Sequence, residues 1–69
     1  MKMIKVESSN IESIGYDGLL FRLRIKFLTS EKIYDFDGVP PDLHTEFIES
    51  DSKGKFFYKR IKGKFDLIK

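Results

Sequence analysis

From residue 19 to residue 27 the chain alternates. The odd positions are Leu19, Phe21, Leu23, Ile25 and Phe27, and after Leu20 the even ones are Arg22, Arg24 and Lys26. A period of two belongs to a strand with one face buried and the other in water, so this run commits the chain to a sheet covered on one side. Such a sheet needs further strands beside it and an apolar layer on its inner face. The 69 residues leave room for one domain, and we treat residues 1–69 as a single unit. There is no Cys and only one His, so neither disulfides nor a zinc site can staple so small a domain. Side-chain packing must hold it, and seven Phe and three Tyr supply much of the volume.

The partner strands can be placed from turn chemistry. Asp17-Gly18 reads as a two-residue type I′ hairpin turn, in which Gly supplies positive φ without steric cost. That register sets Tyr16 opposite Leu19, Ile14 opposite Phe21 and Glu12 opposite Leu23. A second turn near Thr29-Ser30 returns the chain as a strand over 31–37. If Leu28 opposes Glu31, Ile25 meets Tyr34 and Leu23 meets Phe36 inside, while Arg24 meets Asp35 and Arg22 meets Asp37 outside. Residues 3–6 can add a strand at the N-terminus. Val39-Pro40-Pro41 then ends the sheet, since a residue before Pro avoids the helical basin and Pro is tolerated in a first helical turn.

Leu43, Phe47 and Ile48 give the following helix an apolar side. Ser52 is placed to cap a second helix, in which Phe57 and Ile61 stand four residues apart, and Gly63 ends it. No Ala is present, so both helices must depend on docking rather than on propensity. The predicted fold is α+β, an antiparallel β-meander of three to four strands followed by two short α-helices packed on one face. In that fold Tyr34 and Phe36 both face the helices, and Ala at either position is expected to cost about 3–5 kcal/mol.

The net charge of +2 hides a segregation along the chain. Residues 1–30 carry five basic and three acidic groups, residues 31–50 one basic and six acidic, and residues 51–69 seven basic and two acidic. An anionic partner is attracted to the last segment and repelled by the middle one. On the second helix Lys55, Lys59 and Lys62 follow i, i+4, i+7 spacing, with Lys53, Arg60 and Lys64 nearby and Phe56 flanking them. Basic stripes beside an aromatic ring are used to bind single-stranded nucleic acid, although Phe56 as core and lysines as solubilising groups explain the same pattern. Asp42, Glu46 and Glu49 repeat that spacing on the first helix, so the two stripes can pair within one molecule or between two. Arg22, Arg24 and Lys26 are better explained by the aspartates opposite them than by phosphate contacts.

Nothing in the chain reads as catalytic machinery. His44 reads as a solvated surface residue, no Ser has a base placed beside it, and Gly54-Lys55 lacks the rest of a phosphate loop. We expect no enzyme activity, no cofactor and no metal. No stretch approaches the ~20 apolar residues of a membrane span, so a cytoplasmic protein without a membrane partner is expected.

Ser8-Ser9, Ile14-Gly15-Tyr16-Asp17, the alternating strand, Tyr34-x-Phe36, Val39-Pro40, Ser52-x-Gly54 with Phe56-Phe57, and Ile61 together resemble the KTSC domain family. The resemblance covers about residues 3 to 65. Members are found at the C-terminus of some lysyl-tRNA synthetases and as small free-standing bacterial and phage proteins. The chain departs from the common pattern in having Tyr34-x-Phe36 where Tyr-x-Tyr is usual, and Ser30 where the turn often has Gly. Attachment to a synthetase implies RNA by association. The function read from all this is a small non-catalytic module that binds RNA or single-stranded nucleic acid through Lys53, Lys55, Phe56, Lys59, Arg60, Lys62 and Lys64. The alternative is a protein-interaction or self-association module with no nucleic-acid role.

Overall fold

The computed structural model describes residues 1–68. Five antiparallel strands form one sheet, β1 (Met3–Lys5), β2 (Ile11–Asp17), β3 (Arg22–Phe27), β4 (Ile33–Asp37) and β5 (Asp66–Ile68), and their spatial order repeats their order in the chain. Between β4 and β5 lie the helix α1 (Pro41–Glu49) and a second helical segment. The latter starts as α2 (Lys53–Phe56) and continues as a π-helical turn over Phe57–Ile61. The architecture is α+β as expected, with five strands in place of three to four. The added strand, β5, pairs with β4 through Asp35↔Ile68, Phe36↔Leu67 and Asp37↔Asp66.

Residues 22–27 of the alternating run form the middle strand of the sheet, whereas Leu19, Leu20 and Phe21, expected to begin that strand, lie in the loop before it and are exposed. Leu23 and Ile25 are fully buried, and Arg22, Arg24 and Lys26 lie on the opposite face. The β3–β4 register is the one expected from the turn at Thr29-Ser30, with Leu23↔Phe36, Arg24↔Asp35 and Ile25↔Tyr34. Arg24 donates to both Asp35 oxygens, Nε–Oδ1 at 2.7 Å and Nη2–Oδ2 at 2.8 Å. This two-pronged bond holds the Asp35 carboxyl below the usual carboxylate range.

The β2–β3 register differs from expectation by four residues. Tyr16 pairs with Leu23, Ile14 with Ile25 and Asp17 with Arg22, leaving a four-residue loop over 18–21. Asp17 Oδ1 accepts the backbone N–H groups of Leu19 (3.0 Å) and Leu20 (3.3 Å), so the aspartate side chain closes the turn. The two-residue turn would have set Ile25 opposite Asn10 and Phe27 opposite Ser8. In the observed register they face Ile14 and Ile11. A shift of four preserves parity, so Ile14, Leu23 and Ile25 face inward as expected, but Glu12 and Phe21, expected on the same face, do not: Glu12 turns outward at a bulge and Phe21 falls in the exposed loop. A bulge between Ile11 and Ser13 turns Ile11 to the inner face as well, and both Ile11 and Ile14 are buried. Glu12, at the bulge, accepts a hydrogen bond from Lys26 Nζ on the outer face.

One core forms where the helices cover this sheet. Ile11, Ile14, Leu23, Ile25 and Phe36 from the strands meet Val39, Leu43, Phe47, Phe57 and Ile61. Pro41 opens α1 in its first turn, and the Pro40 carbonyl accepts from the Leu43 and His44 N–H groups. Ser52 stands at the start of α2 without making a side-chain cap. Its N–H donates instead to Ser50 Oγ at 3.2 Å, and Ser50 Oγ donates to the Ser52 carbonyl at 3.0 Å. Gly63 has φ +76° and takes the chain out of the helical segment, as its position predicts.

Candidate nucleic-acid interface

Local backbone geometry decides where each basic side chain goes. Lys55 and Lys59 are exposed on the outer side of the second helical segment. Lys62 does not continue their stripe. Its N–H donates to the Phe57 carbonyl at 2.8 Å, five residues back, and its own backbone is already extended. A π turn widens the helix, so the 3.6-residue spacing that aligned the three lysines no longer applies. The Lys62 ammonium instead lies 4.8 Å from the centre of the Tyr58 ring. Among the described residues Lys55, Lys59 and Lys62 make no ion pair.

The remaining candidates are tied to the protein. Lys53 Nζ donates to the Ser50 carbonyl at 3.1 Å. Arg60 pairs with Glu46 at 3.6 Å, so the acidic and basic helices do meet within one molecule, through one exposed contact that stabilises little. The Arg60 guanidinium also lies 5.2 Å from the centre of Phe56, and Phe56 stacks on Phe47 at 5.3 Å. Phe56 is half-buried and its ring is engaged from inside the molecule. Lys64 is exposed beyond Gly63.

Tyr58 stands at the centre of the arrangement. On one side is a shallow cleft of about 370 Å³ lined by Ser9, Gly54, Lys55, Tyr58 and Lys59. On the other is a larger cleft of about 590 Å³ between the end of the helical segment, the β3–β4 turn and β5. Its principal walls are Phe27, Tyr34, Phe57, Tyr58 and Phe65, with Lys62 at the edge. Phe57 packs edge-to-face with Phe27 at 5.4 Å, with Phe36 at 5.6 Å and with Tyr58 at 5.5 Å. Tyr34 packs likewise against Phe27 at 5.7 Å. Sequence reasoning assigned Tyr34 and Phe57 to the core and passed over Tyr58 and Phe65. The available signal was an aromatic residue directly before Lys59 and another directly after Lys64.

His44 corrects a further expectation. It is half-buried, with its ring stacked on Tyr16 at 4.3 Å and 7° between planes. Tyr16 is fixed by donating its hydroxyl to the Val39 carbonyl at 2.6 Å. Burial lowers the His44 pKa, so the unfolded chain binds this proton more readily than the folded one. Stability is therefore unaffected at pH above the unfolded value of about 6.5 and falls as the pH drops below it. The carboxyls of Glu12 and Asp35 are held low by hydrogen bonds from Lys26 and Arg24. Their contributions are complete above the ordinary carboxylate range and lost as the pH falls through their folded values. Urea midpoints measured from pH 8 to pH 3 should fall in two stages, and His44→Gln should remove only the first. A single fall confined to pH below about 5 would show that His44 titrates normally.

Among the described residues no group of three or more His, Cys, Asp or Glu side chains gathers, and no helix is long and apolar enough to cross a membrane.

The KTSC domain profile matches residues 7–65. An uncharacterised protein of Stutzerimonas stutzeri is 34% identical over 62 residues, covering 90% of this chain and 86% of that one. A lysine–tRNA ligase of Nostoc punctiforme is 36% identical over 63 residues, which are 91% of this chain and 11% of the ligase. The match therefore leaves most of the ligase outside it. The crystal structure of a KTSC domain protein from Yersinia pestis superposes with a TM-score of 0.92 at 43% identity, covering 99% of this chain and 94% of the other. The profile match, a relative aligned along most of its length and a solved structure that superposes along nearly the whole chain agree, and the chain belongs to the KTSC domain family.

Proposed function

We propose that this domain is a non-catalytic module that binds single-stranded RNA, or single-stranded nucleic acid more generally, along the exposed side of its second helical segment. The supporting observation is that Lys55 and Lys59 are exposed on the rim of the smaller cleft and make no ion pair among the described residues, and Lys62 is exposed beyond Tyr58. Three ammonium groups in a +5 segment can neutralise successive phosphates, and the acidic α1 sets the orientation by repelling the strand. The 36% identity to 11% of a lysine–tRNA ligase is consistent with a domain appended to a protein that handles RNA.

Fluorescence anisotropy of a labelled single-stranded RNA, titrated between about 50 and 200 mM salt, tests the reading. Three phosphate contacts give a slope of about −2 in log K against log salt. The Lys55→Ala/Lys59→Ala/Lys62→Ala variant should lose that slope and keep its unfolding midpoint. Arg24→Ala should change binding less, because Arg24 is already committed to Asp35. Absence of binding at about 50 mM salt, where electrostatic attraction is least screened, would defeat the proposal.

A second reading, a protein-interaction module, is favoured by the β2–β3 loop. There Leu19, Leu20 and Phe21 are consecutive exposed apolar side chains, Leu19 at 97%. Concentration-dependent sizing that changes with Leu19→Ser, together with no RNA affinity, would support it.

A further inference from the structure

We infer that the larger cleft beyond Tyr58 is a binding site for one unstacked nucleobase, with Lys62 receiving the adjoining phosphate. This rests on the strand-binding reading above and adds the part of the ligand it leaves unassigned. The smaller cleft accounts for backbone charge but offers no aromatic wall other than Tyr58. The larger one is built of aromatic rings. Phe57 forms its floor, and Phe27 and Tyr58 each stand close to perpendicular to that ring, at 73° and 72°. Its volume of about 590 Å³ lies in the range of small-molecule sites, about 300–1,000 Å³.

Three features select a nucleotide over a purely apolar guest. A planar π-system gains most from ring walls, since stacking depends on flat faces rather than on shape alone. The ammonium of Lys62 over the Tyr58 ring puts a positive charge on the rim, where a purely apolar ligand has nothing to pair with it. Asn10, Thr29 and Ser30 place polar groups along the cleft for the edge of a base. Tyr58 and Asn10 line both clefts, so a base lodged against Tyr58 in the larger one leaves the neighbouring phosphates near Lys55 and Lys59 in the smaller. The ring of Phe56, flagged from sequence for this role, is already stacked on Phe47. Tyr58 is 57% exposed; it meets Phe57 only edge to face, and the Lys62 ammonium over its ring is the group that would receive the adjoining phosphate.

The test compares a short oligouridylate with an abasic strand of equal length and charge, and adds a titration of adenosine monophosphate followed by amide chemical shifts. The oligouridylate should bind about 5- to 150-fold more tightly than the abasic strand, the range one base–aromatic stack supplies. Tyr58→Ala should abolish that difference, whereas Tyr58→Phe should keep it. Unfolding midpoints of both variants guard against a lost fold. Adenosine monophosphate should shift Thr29, Tyr58, Gly63 and Phe65. If neither strand binds but the mononucleotide moves those resonances, the base site stands and the strand-binding reading falls. Equal affinity for the two strands, with mononucleotide shifts confined to Lys55 and Lys59, would overturn the base site while leaving that reading intact. A change of oligomeric state on Tyr58→Ala with no change in nucleotide affinity would also overturn it, by making the cleft a protein interface.

Discussion

Replacing Phe36 by Ala is expected to cost about 3–5 kcal/mol of folding stability. Phe36 is 6% exposed, lies in β4 between Leu23 and Leu67, and meets Phe57 edge to face. A domain of this size has a total stability of about 3–10 kcal/mol, so the variant should lose from about a third to all of it. Urea unfolding followed by near-ultraviolet circular dichroism would show it. Tyr34→Ala should cost less, contrary to the equal loss expected from sequence, because Tyr34 is half-buried and one side of its ring faces the larger cleft. An equal loss at the two positions would mean that the cleft closes over Tyr34 in solution.

Phe57→Ala is expected to be comparably severe. Its ring, 5% exposed, contacts Phe27, Phe36 and Tyr58. Burial alone accounts for about 3–5 kcal/mol, and each edge-to-face pair adds about 0.5–1.5 kcal/mol beyond burial. Because two Ala changes together would exceed the smaller stabilities expected of a domain this size, the informative cycle uses Phe36→Leu and Phe57→Leu. A coupling of about 0.5–1.5 kcal/mol is expected between positions in direct contact. Strict additivity would show that the pair interacts only through general burial.

The parts of the fold that were legible in the sequence are those governed by parity. Arg24 and Asp35 were placed together because both strands alternate and a short turn joins them. Leu43 with Phe47, and Phe57 with Ile61, followed from four-residue spacing. The register of β2 was not legible because Asp17 closes a loop with its side chain, a bond that competes with the Asp-Gly turn signal at the same residues. β5 was missed because three residues, two of them exposed, carry no alternation. The π turn breaks the assumption that placed Lys62 beside Lys59, and one five-residue hydrogen bond moves a basic group from a helix stripe to a cleft rim. His44 and Tyr16 stack across 28 positions of sequence, and neither residue's neighbours announce it. The larger cleft assembles from β3, β4, the helical segment and the final turn, so no local pattern contains it.

The strand order has a kinetic consequence. β1 to β4 are joined by short turns, so three pairings close local loops and can form early. The pairing of β4 with β5 must wait for everything between Gly38 and Phe65, both helical segments included. β5 is also a three-residue edge with two exposed members, so its amides should exchange with solvent well before those of Leu23 and Ile25. Phe65 and Leu67 line the larger cleft. The cleft therefore exists only once the last strand has docked, and a ligand held there would slow the exchange of β5 by opposing its undocking, and that of β2 and β3 only where they exchange through opening of the whole fold.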